Sequence, residues 1–167
     1  MDVTVSVKGL DDLDKALSAL PGELARHALG NALMSGGEVI AEEMRAEVPR
    51  AASHDGFHLQ DEIRVQQEKK PIDSAAEVYV GPSQRVAYRA RWQEFGTTTH
   101  AIAIKRKKVL ASTDSIFGRK VTHPGQSPRP FMRTALQAKG SQAIDAIAQT
   151  LREEIPKAAK KVSSGNH

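Results

Sequence analysis

Apolar and polar positions change period several times along the chain, and each change marks an element. Residues 2–7, Asp-Val-Thr-Val-Ser-Val, alternate with period two and predict a strand with Val3, Val5 and Val7 on one face. Past Gly9, Leu10, Leu13, Leu17 and Leu20 recur at helical spacing, predicting a short helix over 10–20 that Pro21-Gly22 stops. The longest helical pattern runs from Glu23 to Val48. Leu29, Leu33, Gly36 (or Gly37), Ile40, Met44 and Val48 form its apolar stripe, with Glu38, Glu42, Glu43 and Glu47 away from the centre. Such a helix is roughly 37 Å long at about 1.5 Å per residue. Gly36-Gly37 costs on the order of 1 kcal/mol per glycine against alanine, so the pair asks for a kink or a close neighbour. Pro49 ends the pattern.

Residues 50–58 read as a loop. Leu59 to Gln67 and Ala76 to Val80 are strand candidates joined by the charged turn Glu68 to Asp73, which together predict a hairpin. The chain's most distinctive stretch follows, Tyr88 to Thr98. Tyr88 and Trp92 are four apart and Trp92 and Phe95 three apart, so the rings share one face of a short helix. Gly96 is suited to end it in the left-handed conformation. Only 4% of the chain is aromatic and this is its single tryptophan, so the stretch is either a core anchor or a docking surface, where Trp and Tyr are favoured.

From Thr97 to Pro128 there is no long periodic segment. Ala101 to Ile104 is strand-like, Lys105-Arg106-Lys107-Lys108 is a basic run, and a long basic loop is expected, of a length that tends to be functional or mobile. A second clear helix opens at Arg129-Pro130, with proline in the first turn where its missing N–H costs nothing. Its stripe is Phe131, Ala135, Leu136, Ile144, Ile147, Leu151 and Ile155, and Pro156 is expected to stop it. Residues 1–155 then read as one domain and 156–167 as a disordered basic tail.

Composition narrows the function. With 40% hydrophobic and 26% charged residues the chain can build a core. It has no cysteine, which removes disulfides, thiolate metal sites and cysteine nucleophiles. The N-terminus is acidic and alternating, unlike a signal peptide, and no run of about 18 apolar residues exists to span a membrane. The overall charge of +4 conceals a polarity. Residues 1–50 carry nine acids against five bases, a net −4, while residues 85–139 carry twelve bases against two acids, Glu94 and Asp114, a net +10. That polarity suits an anionic partner, and equally head-to-tail association between copies of the chain.

Candidate chemistry is sparse. His54 and His58 are four apart, but in a glycine-containing loop and without the glutamate of a zinc-protease motif. A metal-dependent nuclease built on them is the weakest reading. His100 and His123 flank the basic insertion and could meet. No nucleophile elbow, phosphate-cradling glycine loop or other cofactor motif is present, so an enzyme is unsupported and no cofactor is expected. Lys105, Arg106, Lys107 and Lys108 are the best nucleic-acid signal, suited to phosphate contact without sequence readout. They lack interleaved aromatics for stacking on single strands. Sequence-independent DNA binding is therefore the alternative from a different class.

Four stretches in order resemble one family. They are the Val48-Pro49 helix end with Gly56 and the Leu59-Gln60-Asp61-Glu62-Ile63 restart, then Val78-Tyr79-Val80-Gly81-Pro82. The aromatic stretch ending in Glu94-Phe95-Gly96-Thr97 and the opening Arg129-Pro-Phe-Met-Arg-Thr-Ala-Leu136 complete the set. The combination resembles tailed-phage neck proteins: head–tail joining, minor-tail or tail-completion proteins. The sequence departs at Thr134, where that family often has proline, and at Ala52-Ser53-His54-Asp55. The resemblance implies an α+β subunit, with a small antiparallel sheet packed against the long N-terminal-half helix and the C-terminal helix. It implies no catalysis. It also implies a ring in the virion at the head–tail junction, assembled in the host cytoplasm, away from membranes. Partners would be further copies, head-closure or adaptor proteins, tail-terminator or tail-tube proteins, and genomic DNA touched by Lys105–Lys108. Tyr88, Trp92, Phe95 and Phe131 are the expected interface or packing anchors, with Gly96 and Pro130 fixing the backbone. Glu94 is expected to pair with Arg91 or Arg133.

Overall fold

A computed structural model describes residues 10–48, 56–69, 71, 76–103, 110–111, 116–118 and 120–164. The expected strand over 2–7, Pro49, His54 and the Lys105–Lys108 run lie outside the described residues. Helix α1, Leu10–Ser18, turns Leu13, Ala16 and Leu17 inward and leaves Asp11, Asp12 and Asp14 exposed.

Helix α2, Gly22–Glu47, runs unbroken through its glycine pair. Its buried row is small but for Met44: Ala28, Gly30, Ala32, Gly36, Gly37 and Ala41 precede it, while Leu29 and Leu33 of the expected stripe are only half-buried. The reason is close approach from two sides. A Cβ on Gly36 would lie 2.5 Å from Ile147 Cγ1 and 2.8 Å from the Ala143 carbonyl. A Cβ on Gly37 would lie 2.7 Å from Val65 Cγ1 and 3.1 Å from Val80 Cγ2. One glycine admits the C-terminal helix and its neighbour admits the sheet. The pair therefore marks close packing, and its helical cost is offset by that approach.

The sheet is the expected hairpin, β1 Ile63–Gln67 against antiparallel β2 Val78–Pro82, with Ile63 opposite Pro82 and Val65 opposite Val80. Ile63, Val65, Val78 and Val80 lean towards α2, while Arg64, Gln66 and Tyr79 are exposed. The strand starts four residues later than expected because Gln60–Glu62 form a 3-10 turn across the end of α2. There Gln60 Nε2 donates to the Arg45 carbonyl (2.9 Å), and Arg45 Nη2 donates to the Ile63 carbonyl (2.9 Å). These bonds use two backbone groups that the elements' own ladders leave free.

Helix α3 is Ala87–Phe95, and the expected loop after it holds an antiparallel ribbon. Strand β3, His100–Ala103, pairs with β6, Lys120–His123, and β4, Leu110–Ala111, with β5, Ile116–Gly118. Strands of two to four residues are too short for an alternation to read, and the side chains of β3 and β6 are mostly exposed.

Helix α4, Phe131–Ser164, does not stop at Pro156. Residues 156–164 are helical, in place of the disordered tail expected there. A proline inside a helix costs about 3 kcal/mol, and tertiary contacts on both sides of this one oppose that cost. Ile155 and Ala158 are buried, and Glu154 accepts from Asn31 Nδ2 of α2 (3.1 Å) and from Lys157 Nζ (2.8 Å). Two clusters hold the helices together. Ala41, Met44, Val48, Ile63, Ala90, Phe131 and Ala135 form one. Ala32, Leu151 and Ile155 form the other, covered by α1.

Candidate functional site

Helix α3 is amphipathic in an inverted sense. Val86, just before it, and Ala90 and Glu94 face inward and are almost wholly buried. Tyr88, Trp92 and Phe95 face outward and remain 45%, 50% and 63% exposed. The core-anchor alternative therefore fails for all three rings, which lie on the side of α3 turned away from Val86, Ala90 and Glu94. Leu136, counted in the buried stripe of α4, is also exposed. Phe131 is the ring that enters the core, at 3% exposure.

The outward rings are ordered among themselves. Tyr88 and Trp92 meet edge to face with centroids 5.0 Å apart. The Arg89 guanidinium lies 5.3 Å from the Tyr88 ring centre and its Nε donates to the Tyr88 hydroxyl (2.8 Å). The Arg133 guanidinium lies 5.9 Å from the centre of Phe95.

Glu94 fixes this face to the rest of the molecule. The start of α4, Ser127-Pro128-Arg129-Pro130, puts no Ser, Thr, Asp or Asn at the cap position, so its first N–H groups need an acceptor from elsewhere. Glu94 supplies it. Its Oε2 accepts from the Met132 N–H (3.0 Å), and its Oε1 from the Arg133 N–H (3.4 Å) and Arg133 Nε (3.1 Å). The expected ion pair is thus with Arg133, and the carboxylate also caps a helix whose dipole favours negative charge there. Pro130 begins the helical ladder by accepting from the Thr134 N–H (3.0 Å). Arg91, the other expected partner, stays exposed on the outer half of α3.

Gly96 ends α3 at φ 71°, and across from it Gly125 has φ 88°. Between them Thr97 and Gln126 exchange two backbone hydrogen bonds (2.9 and 3.1 Å), while the Arg129 N–H donates to the Gln93 carbonyl (2.7 Å). This pinch closes the ribbon at its root. A Cβ on Gly96 would come within 2.9 Å of the Pro128 nitrogen, so the position excludes a side chain on two grounds. Beyond the pinch, His100 and His123 do meet, as cross-strand partners with stacked rings 5.1 Å apart.

Several residues went unrecognised in the sequence. Glu62, largely buried, accepts from Ser83 Oγ (2.5 Å) and from Arg64 Nη2 (3.1 Å). The Ser83 hydrogen bond, aided by the Arg64 and Arg85 charges, holds its carboxyl below the ordinary value of 4.5. Phe57 lies under the Arg85 guanidinium, 4.2 Å from the ring centre. A loop phenylalanine next to histidines gave no signal of this. Among the described residues, no three His, Asp or Glu side chains gather as metal ligands would.

A family model described as "Bacteriophage HK97-gp10, putative tail-component" matches residues 11–96. The chain belongs to that family. It is a phage tail-related structural protein, as the resemblance implied. The match spans α1, α2, the hairpin and α3, and ends at Gly96. No curated protein matches the chain, and no solved structure does. Among the described residues, no helix of this HK97-gp10-like chain is long and apolar enough to cross a membrane.

Proposed function

We propose that this HK97-gp10-like chain is a subunit of the phage neck. It assembles into a homo-oligomeric ring that joins head and tail and surrounds the DNA channel. Its work is recognition: copies pack side by side, and the ring docks to head-closure or adaptor proteins on one side and tail-terminator or tail-tube proteins on the other. The observation that carries this reading is the outward aromatic face of α3, three large rings held in place by buried Glu94 and left for a partner. Rings and arginines dominate the centres of protein interfaces. The charge polarity supports it too, since a heterologous contact closes into a ring when its rotation divides the circle. The basic stretch that includes Lys105–Lys108 would face the DNA, contacting phosphate without reading sequence.

The test is native mass across concentration, with and without purified portal–closure complexes. A closed ring, or incorporation at the connector, is the expected result. A chain that ignores connectors and instead binds duplex DNA as a monomer, with steep salt dependence, would overturn it in favour of a DNA-binding protein.

A further inference from the structure

The aromatic face of α3 needs an occupant, and the surrounding charges indicate its chemistry. Arg91 lies one helical turn from both Tyr88 and Phe95, is exposed, and joins none of the ion pairs among the described residues. Arg129 and Arg133 border the same end of the molecule, both exposed. Such a surface calls for an acidic partner with some apolar reach.

The chain itself presents one. Asp11, Asp12 and Asp14 stand exposed on α1, and none makes an ion pair among the described residues. Leu13, Ala16 and Leu17 hold α1 against Leu151 and Ile155, in the second half of α4. The aromatic face is tied to the other end of that helix, at Met132 and Arg133. Eighteen residues separate Arg133 from Leu151, about 27 Å along a helix. The acidic face of α1 and the aromatic face of α3 therefore sit far apart on one scaffold.

That placement decides the kind of contact. A two-fold contact through the aromatic face would set Arg91 near its own copy in the partner, like charge against like. A head-to-tail contact sets it against aspartates and leaves one copy with a free acidic face and the other with a free socket, so further copies can add until the ring closes. We propose that the aromatic face of α3 receives the acidic α1 of a second copy of this chain. The inference deepens the ring reading above and rests on it. The preformed ring cluster limits the ordering cost of docking, and the charges fix which copy-to-copy orientation forms.

The absence of cysteine makes the test direct. Full-length Ala87→Cys protein, its exposed site one turn before Arg91 on α3 and its rings intact, is mixed with full-length Asp14→Cys protein under mild oxidation, with Gln149→Cys, exposed elsewhere on α4, as the control partner. Both test sites are exposed, and melting curves verify folding. A disulfide heterodimer exceeding the control about tenfold is expected, because docking raises the local concentration of the two thiols. Ala87→Cys self-linking would overturn the proposal in favour of a two-fold contact, and cross-linking no better than the control would overturn it outright. In parallel, Asp11→Lys with Asp14→Lys, and separately Arg91→Glu, should each weaken self-association at least about tenfold, and mixing the two charge-reversed chains should restore it to within about threefold. Losses without restoration count against the pairing. The wild-type native mass separates the two levels. A ring that lacks this cross-link removes the docking assignment alone. A monomer that also ignores portal–closure complexes removes the ring with it.

Discussion

The interior between α2, α4 and the hairpin and the outer side of α3 follow opposite rules of size. Inside, the contact is made by Ala32, Gly36, Gly37, Ala41, Ala135, Ala143 and Ala148, and backbones come close. Outside, Tyr88, Trp92 and Phe95 stand half in solvent. Burying such side chains would add on the order of 1.5–3 kcal/mol each to folding, and the fold forgoes it. Small residues set the spacing between the helices and the hairpin, while the three rings of α3 are withheld from it. The difference shows that bulk and burial are separate decisions here. The aromatic residues that stand out in the sequence mark the surface, and the unobtrusive small ones mark the core.

Substitutions can break or sharpen that contrast. Phe131 is the exception, a large ring inside, so Phe131→Ala should show the greatest loss, about 3–5 kcal/mol by chemical denaturation. A loss below about 1 kcal/mol would mean the ring is not in the core. Gly36→Leu tests the small-inside rule from the other direction. Its new atoms meet the Ala143 backbone as well as a side chain, and about 3 kcal/mol of destabilisation is expected from overpacking. A neutral Gly36→Leu would show that α4 can move away freely.

Glu94→Ala probes the joint between the two regions. It strands the Met132 and Arg133 N–H groups at the start of α4 and should cost about 2–3 kcal/mol. Hydrogen exchange in the first turn of α4 should rise with it; unchanged exchange there would remove the capping role. Trp92→Ala should cost under about 1 kcal/mol in stability, as exposed positions do, yet abolish assembly. Normal connector incorporation by that variant would detach the outer face from function. The smallest effect concerns Glu62. Because its folded carboxyl is held below 4.5, chiefly by Ser83, the ionised form stabilises the fold above that pH, and the gain is lost as pH falls through the folded value. The melting-temperature gap between wild type and Ser83→Ala should therefore be present at pH 7 and shrink below 4.5; a gap independent of pH would refute the linkage.

What the sequence made legible was whatever repeats locally. The α2 stripe, the hairpin alternation and the Tyr88–Trp92–Phe95 spacing all announce their elements, and all three formed. The face on which α3 lies was not legible, because periodicity places residues on a common side without saying which side is inward. The inward side is the one that carries Val86, Ala90 and Glu94, whose carboxylate reaches the N–H groups at the start of α4, a long-range partner that no local spacing announces. Pro156 misled for a related reason. Local propensity ends the helix there, while Ile155 and Ala158 pack on either side of it. The cap of α4 was half legible: charge offered Arg91 or Arg133 as the partner of Glu94, but the missing local cap before Pro130 is the signal that points to the backbone N–H groups.

The pinch at Thr97 and Gln126 has a consequence for how this chain can change. It brings the two ends of a stretch of roughly thirty residues to adjacent strand positions, and lengthening a closed loop costs only about 0.6 kcal/mol per doubling. The ribbon is therefore a graft site: its length and charge can be rewritten, or the segment exchanged for a short turn, while Gly96 and Gly125 keep the stump in place. Adaptation to a new neighbour can proceed there without renegotiating the scaffold.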